Sequence, residues 1–167
     1  MTRSVFFTGY AIINIFILLG CNNNDAAKKS EAIKSAGSEL PKYFNLRPKL
    51  EKEYGYTHAV KIGNDLKISG AVSMNDSGMI VAPGNMEQQM KNCYADLQRI
   101  LQHYGYTYDD VIAENIYTTN MAEFISISGF RNSIYKNQFP TGTWLEVKGL
   151  AVAGQLIEID MEAHKVK

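Results

Sequence analysis

Few residues of this 167-residue chain are of types that do covalent or metal chemistry: two cysteines and three histidines, beside 17 acidic and 17 basic side chains. Their spacing removes most of the options. Cys21 and Cys93 stand in contexts too different to predict a disulfide, and neither Cys-x-x-Cys nor His-Glu-x-x-His occurs, so no metal site is indicated. Cys93 falls within an apolar helical stripe and reads as a buried, inert thiol. His103, at the polar edge of that stripe's last turn, reads as a helix-end charge. No cofactor is expected, which leaves carboxylates, hydroxyls and backbone amides. The stretch Phe139-Pro140-Thr141-Gly142-Thr143-Trp144 is conspicuous, because Pro140 cannot continue a helix and the chain passes there into a β-rich tail.

The elements that must position such groups fit one domain. With 46% hydrophobic and 20% charged residues, the chain can bury a core without disulfides or metal. Its formal net charge of zero offers no field for a nucleic acid backbone, and its aromatics are not interleaved with basic residues. Ala59-Val60-Lys61-Ile62 and Leu66-Lys67-Ile68-Ser69 flank Gly63-Asn64-Asp65 as a hairpin. A second turn, Asn75-Asp76-Ser77-Gly78, separates Ala71–Met74 from Met79–Val81, giving a meander of three short strands. Asn85 caps a helix, with Gln88 in capping-box position, whose apolar face runs from Met86 through Cys93 and Leu97 to Tyr104 and which Gly105 closes.

Asp110 to Tyr117 alternates as a half-buried strand whose facing is ambiguous. Asn120 and Glu123 start a second helix with an apolar face from Met121 to Tyr135, ending near Gln138. Trp144–Leu150 and Leu156–Ala163 read as the last strands. The order is βββαβαββ: an α+β, two-layer fold with a mixed six-stranded sheet and both helices on one face. Apolar residues on both sides of the strands imply a neighbouring subunit over the other face.

At the amino terminus, Arg3 precedes an apolar run from Val5 to Leu19, too short for a comfortable membrane span. Leu18-Leu19-Gly20-Cys21 resembles the bacterial lipobox, which implies a signal peptide over residues 1–20, lipidation at Cys21, a polar spacer over 21–39 and a folded domain over 40–167. The expected location is the cell envelope, anchored by lipid and facing the periplasm or exterior.

Across the domain, Gly55-Tyr56-Thr57-His58-Ala59-Val60, Gly63-Asn64, Ile68-Ser69-Gly70, Gln89 through Leu101, the strand Glu114–Thr118 with Met121 and Phe124, and Ile157-Glu158-Ile159-Asp160-Met161-Glu162-Ala163 resemble the RidA family (YjgF, also labelled L-PSP endoribonuclease) in order and spacing. The resemblance implies a chorismate-mutase-like fold, a homotrimer, and small-molecule clefts between subunits. It also implies hydrolysis of enamines and imines such as 2-aminoacrylate or 2-iminobutanoate to keto acids and ammonia. On this pattern Glu158 positions water, while Tyr56 and Ser69 line the cleft. The arginine that would read a substrate carboxylate falls on Gly142, next to Thr143, with Trp144 where cysteine is frequent and Ser128 where asparagine is frequent. Lys148 lies too far along the strand to substitute. Arg131 reads as a surface ion pair or a group near the cleft, and backbone amides around Gly142 could receive an anion. Two functions therefore stand: a non-hydrolytic metabolite-binding module narrowed by Trp144, or a deaminase with altered substrate. Ribonuclease activity has no paired histidines or basic groove behind it.

Overall fold

The computed structural model describes residues 40–166. The expected signal peptide, Cys21 and the spacer lie outside the described residues. The chain forms β1 (Lys42–Phe44), α1 (Pro48–Tyr54), β2 (Ala59–Ile62), β3 (Asp65–Val72), α2 (Met86–His103), β4 (Val111–Thr118), α3 (Met121–Ile127), α4 (Gly129–Ile134), β5 (Thr141–Glu146) and β6 (Ile157–His164). One six-stranded sheet has the order β1-β2-β3-β6-β4-β5. Only β4 and β5 pair in parallel; the other neighbours are antiparallel.

Local chemistry sets the main helix. Asn85 Oδ1 accepts the Gln88 amide at 2.9 Å as the expected cap, although the Gln88 side chain turns to Asn92 instead of back to the cap. At the other end, Gly105 N donates to Gln102 O and Tyr106 N to Leu101 O, the paired bonds of a Schellman close. The buried face of α2, with Met90, Cys93, Leu97 and Ile100, packs on Leu66 and Ile68 of β3 and Ile157, Ile159 and Met161 of β6. Cys93 is fully buried, and burial pushes its thiol far up, so it is inert. His103 stacks on Phe44, ring centres 4.1 Å apart. No helix among the described residues is long and apolar enough to cross a membrane.

Several expected boundaries move. The separate strands at Ala71–Met74 and Met79–Val81 do not form: β3 runs on to Val72 through a register shift between Ile68 and Ala71, and Met74 and Ile80 make only an isolated bridge. The Asn75 side chain accepts the amides of Ser77 and Met79, which curls this segment into a turn off the sheet. The sixth strand is instead β1, which together with α1 precedes the hairpin. The second helix breaks at Ser128, whose hydroxyl donates back to Ile125 O at 2.8 Å just before Gly129. β5 begins and ends earlier than Trp144–Leu150. The face away from the helices is mixed in character, since Lys67, Glu158, Asp160, Glu162 and Asn115 share it with Val60, Tyr117 and Leu145.

Candidate functional site

A buried polar knot fixes the segment leading into the site. Glu51, fully buried, accepts the Arg47 amide at 2.6 Å and the His58 amide at 3.1 Å, takes a bond from the Asn45 side chain, and faces His58 Nδ1 at 3.3 Å. Arg47 Nη2 ties the segment to the helix layer through Asp96 Oδ2 at 2.6 Å and Met74 O at 2.8 Å. Burial pushes the His58 pKa below its usual value, with Glu51 opposing. This knot delivers Tyr54 and Tyr56 to the start of β2.

Tyr56, Ser69 and Glu158 line one cavity of about 350 Å³, with Gly70, Val72, Met74, Val152 and Gln155. Glu158 projects from β6 on the sheet face opposite the helices, since Ile157 and Ile159 beside it are buried under α2. It makes no hydrogen bond among the described residues. Burial, and secondarily Asp160, raises its pKa above the ordinary carboxylate value. Gly70 makes room for it: a Cβ there would meet Glu158 Oε1 at 1.8 Å. Ser69 donates to Thr57 O at 2.8 Å, leaving its lone pairs to the cavity. Burial, then Glu51, raises the Tyr56 pKa, which keeps its hydroxyl a donor. One cavity thus offers a carboxylate acceptor, a phenol donor and a hydroxyl acceptor.

The opposite wall is the 147–156 loop, held by Gln89. Its Nε2 donates to Gly154 O at 2.9 Å and Ala82 O at 3.2 Å, and its Oε1 accepts from Leu156 N at 2.9 Å. A second concavity of about 520 Å³ spreads over the open sheet face beside Lys67, Asn115 and Asp160.

The remaining predicted positions do not reach this cavity. Ser128 is turned onto its own helix. Gly142 lies within edge strand β5 opposite Glu114 of β4, and a Cβ on it would come 2.1 Å from the Glu114 carbonyl oxygen, so the backbones themselves demand glycine. Thr143 pairs with Asn115 on the open side. Trp144 points to the helix layer, its ring centre 4.9 Å from that of Phe124. Lys148 is exposed beyond the end of β5.

Beneath Trp144 lies a cluster that sequence spacing does not reveal. Arg131 is only 7% exposed and is no surface pair: its Nε donates at 2.7 Å to Oε2 of Glu114, which is fully buried. Glu114 Oε1 accepts the hydroxyls of Tyr94 at 2.8 Å and Tyr135 at 2.6 Å. Burial first, and the Glu114 carboxylate second, push both phenols far up, so they remain donors. A glutamate at an inward position of β4 is the signal, but it needs the strand's facing, which the alternation left open.

The profile of the family described as Endoribonuclease L-PSP matches residues 47–165, the whole sheet except β1. The chain belongs to this family, that of RidA and YjgF. A RutC family protein of Pyrococcus horikoshii is 27% identical over 110 residues, covering 66% of this chain and 86% of that relative. A 2-iminobutanoate/2-iminopropanoate deaminase of Mus musculus is 26% identical over 118 residues, covering 62% and 84% respectively. Among solved structures, a YjgF/YER057c/UK114 family member from Mycobacterium tuberculosis has a TM-score of 0.66 at 21% identity, over 75% of this chain and 100% of its own. RidA from an Antarctic Psychrobacter has a TM-score of 0.60 at 21% identity, over 66% and 88%. At such identities the structural likeness speaks for the fold. The RidA-type sheet with its helices is the observed architecture.

Proposed function

We propose that the protein is a homotrimeric small-molecule-binding member of the RidA family, in which Tyr56, Ser69 and Glu158 of one subunit face a cleft completed by a neighbour. The observation that carries this reading is their convergence on one cavity in which the Glu158 carboxylate has no hydrogen-bond partner among the described residues. An unpaired, partly desolvated carboxylate asks for a donor from a ligand. Gly142 stands where the family pattern suggests a carboxylate-reading arginine, and its contact with Glu114 leaves no room for a side chain. The favoured ligand is therefore uncharged, with an N–H for Glu158 and an oxygen for the Tyr56 hydroxyl. Butyramide is a simple probe. It should raise the melting temperature of the full-length protein, and the rise should vanish in Glu158→Gln and Tyr56→Phe; an equal rise in both variants removes the ligand from this cavity.

The raised pKa of Glu158 favours a second reading, hydrolysis of an enamine or imine. An enamine would first shift a proton from nitrogen to carbon to become the imine. Water would then add to the C=N carbon as Glu158 accepts one of its protons and passes it to nitrogen, and transfer of the remaining hydroxyl proton to nitrogen would expel ammonia and leave the keto compound. The relatives named as deaminases support this class. Faster ammonia release from enzyme-generated 2-aminoacrylate or 2-iminobutanoate, lost in Glu158→Gln, establishes it; no acceleration leaves the binding role. We also propose that the mature chain begins at a lipidated Cys21 and is held in the cell envelope on a membrane surface. Mass spectrometry of the mature amino terminus decides this, and an unmodified Cys21 ends it.

A further inference from the structure

The guanidinium of Arg131 is walled by aromatic rings and gripped at one end, while its other end is unspent. Its carbon lies 5.0 Å from the ring centre of Tyr135, 5.3 Å from Phe139 and 5.5 Å from Trp144. Nε is committed to Glu114, whereas Nη1 reaches Asn132 Oδ1 only at 3.3 Å. Nη2 has no hydrogen-bond partner among the described residues. Among the described residues the fully buried side-chain atoms left unpaired are Arg47 Nε and His58 Nε2, so Arg131 Nη2 keeps some contact with solvent although the residue as a whole is buried. Two of the walls are themselves accessible, Phe139 at 50% and Trp144 at 40%.

Glu114 bonds only the inner edge of this cation: its Oε2 meets Nε while its Oε1 serves the two tyrosine hydroxyls, so neither terminal nitrogen of Arg131 bonds to the carboxylate. Its role is to hold the guanidinium plane in one orientation with the terminal edge outward. A flat, two-pronged donor of this kind matches a carboxylate, and the aromatic rim matches an apolar body. A dianion is disfavoured by the buried carboxylate nearby.

We propose that the outer edge of Arg131, framed by Phe139 and Trp144, is a binding site for the carboxylate of a small organic acid with an aromatic or apolar body. The site is on the helix side of β4 and β5, whereas Glu158 is on the open face, so it stands independently of the cavity reading.

Trp144 is the chain's single tryptophan and reports occupancy directly. The full-length protein is titrated with phenylacetate and with phenylacetamide as the uncharged counterpart, following Trp144 fluorescence. Phenylacetate should give a saturable change, and the amide should bind about tenfold more weakly or worse. Arg131→Lys, which keeps a charge but loses the fork, should weaken phenylacetate by about tenfold. Should that variant fail to fold, the double variant Glu114→Gln/Arg131→Gln removes both buried charges together and leaves neither unpaired. With its fold checked by circular dichroism, it should show no preference for acid over amide. Glu158→Gln should leave the titration unchanged. Equal binding of acid and amide, absence of a saturable change, an undiminished preference in the double variant, or loss of the titration in Glu158→Gln would each overturn the proposal.

Discussion

At the scale of single residues, two glycines and two glutamates govern what the molecule can do. Gly142 faces the backbone of β4 at a distance no Cβ tolerates, so Gly142→Ala should lower stability by about 2–4 kcal/mol in denaturant melts, and Gly142→Arg should fare no better. An arginine there that left stability intact would show that β5 is free to move away. Gly70 differs, because what it shelters is the end of a flexible side chain, Glu158. Gly70→Ala should displace that carboxylate, abolish the butyramide shift and change stability by less than about 1 kcal/mol. Glu114 and Arg131 form a buried pair, and removing one partner strands the other. Arg131→Ala should therefore cost about 3–5 kcal/mol, with the doubly neutral Gln variant recovering part of the loss.

At the scale of elements, the site depends on two attachments, both buried. Gln89 holds the loop that forms one wall of the cavity through Gly154 O and Leu156 N and ties it to Ala82 O. Gln89→Ala should lose about 2–3 kcal/mol in denaturant melts and speed proteolysis within 147–156, because three bonds disappear and the Gly154 carbonyl and Leu156 amide lose their partner, while Ala82 O keeps the Asn85 amide. On the other side, α1 and the start of β2 hang on Glu51, Arg47 and His58. His58 is held neutral by burial, with Arg47 adding to the depression and Glu51 and Asp96 opposing it. The unfolded chain takes up a proton that the folded chain refuses, so stability is present above about pH 6.5 and declines as pH falls from there through the depressed pKa. Melting temperatures should drop over that window, and His58→Gln should flatten the drop. Glu158 acts in the opposite sense: its raised pKa gives stability at low pH that is lost as pH rises through that pKa. Both helix caps, Asn85 and Asn120, were legible from sequence because a cap is made within four residues. The break at Ser128 was not, since an apolar face runs through it uninterrupted.

At the scale of the whole molecule, β5 is exposed along its entire length, an unpaired edge bearing Trp144 and Leu145. Such an edge invites pairing unless it is covered, which accords with the proposed trimer. If the open face around Leu145 meets a neighbouring subunit, Leu145→Lys should yield monomers by sedimentation while leaving the circular dichroism spectrum unchanged. A wild-type chain that sediments as a monomer removes the trimer and the shared cleft with it.

The sequence alone determined the family and the two-layer order of the main elements, and the resemblance grouped Tyr56, Ser69 and Glu158, which line one cavity. These rest on turn chemistry, period and residue order, which are local or carried by resemblance. What tertiary structure decided is non-local. β1 is three residues long and has no periodicity to detect, yet it pairs with β2. The register of β5 on β4 set Gly142 against a carbonyl, and the facing of β4 turned Glu114 inward. Only then could Arg131, 17 positions along the chain, be drawn under Trp144. A charge is buried when its partners converge in space, and their spacing in sequence does not record that.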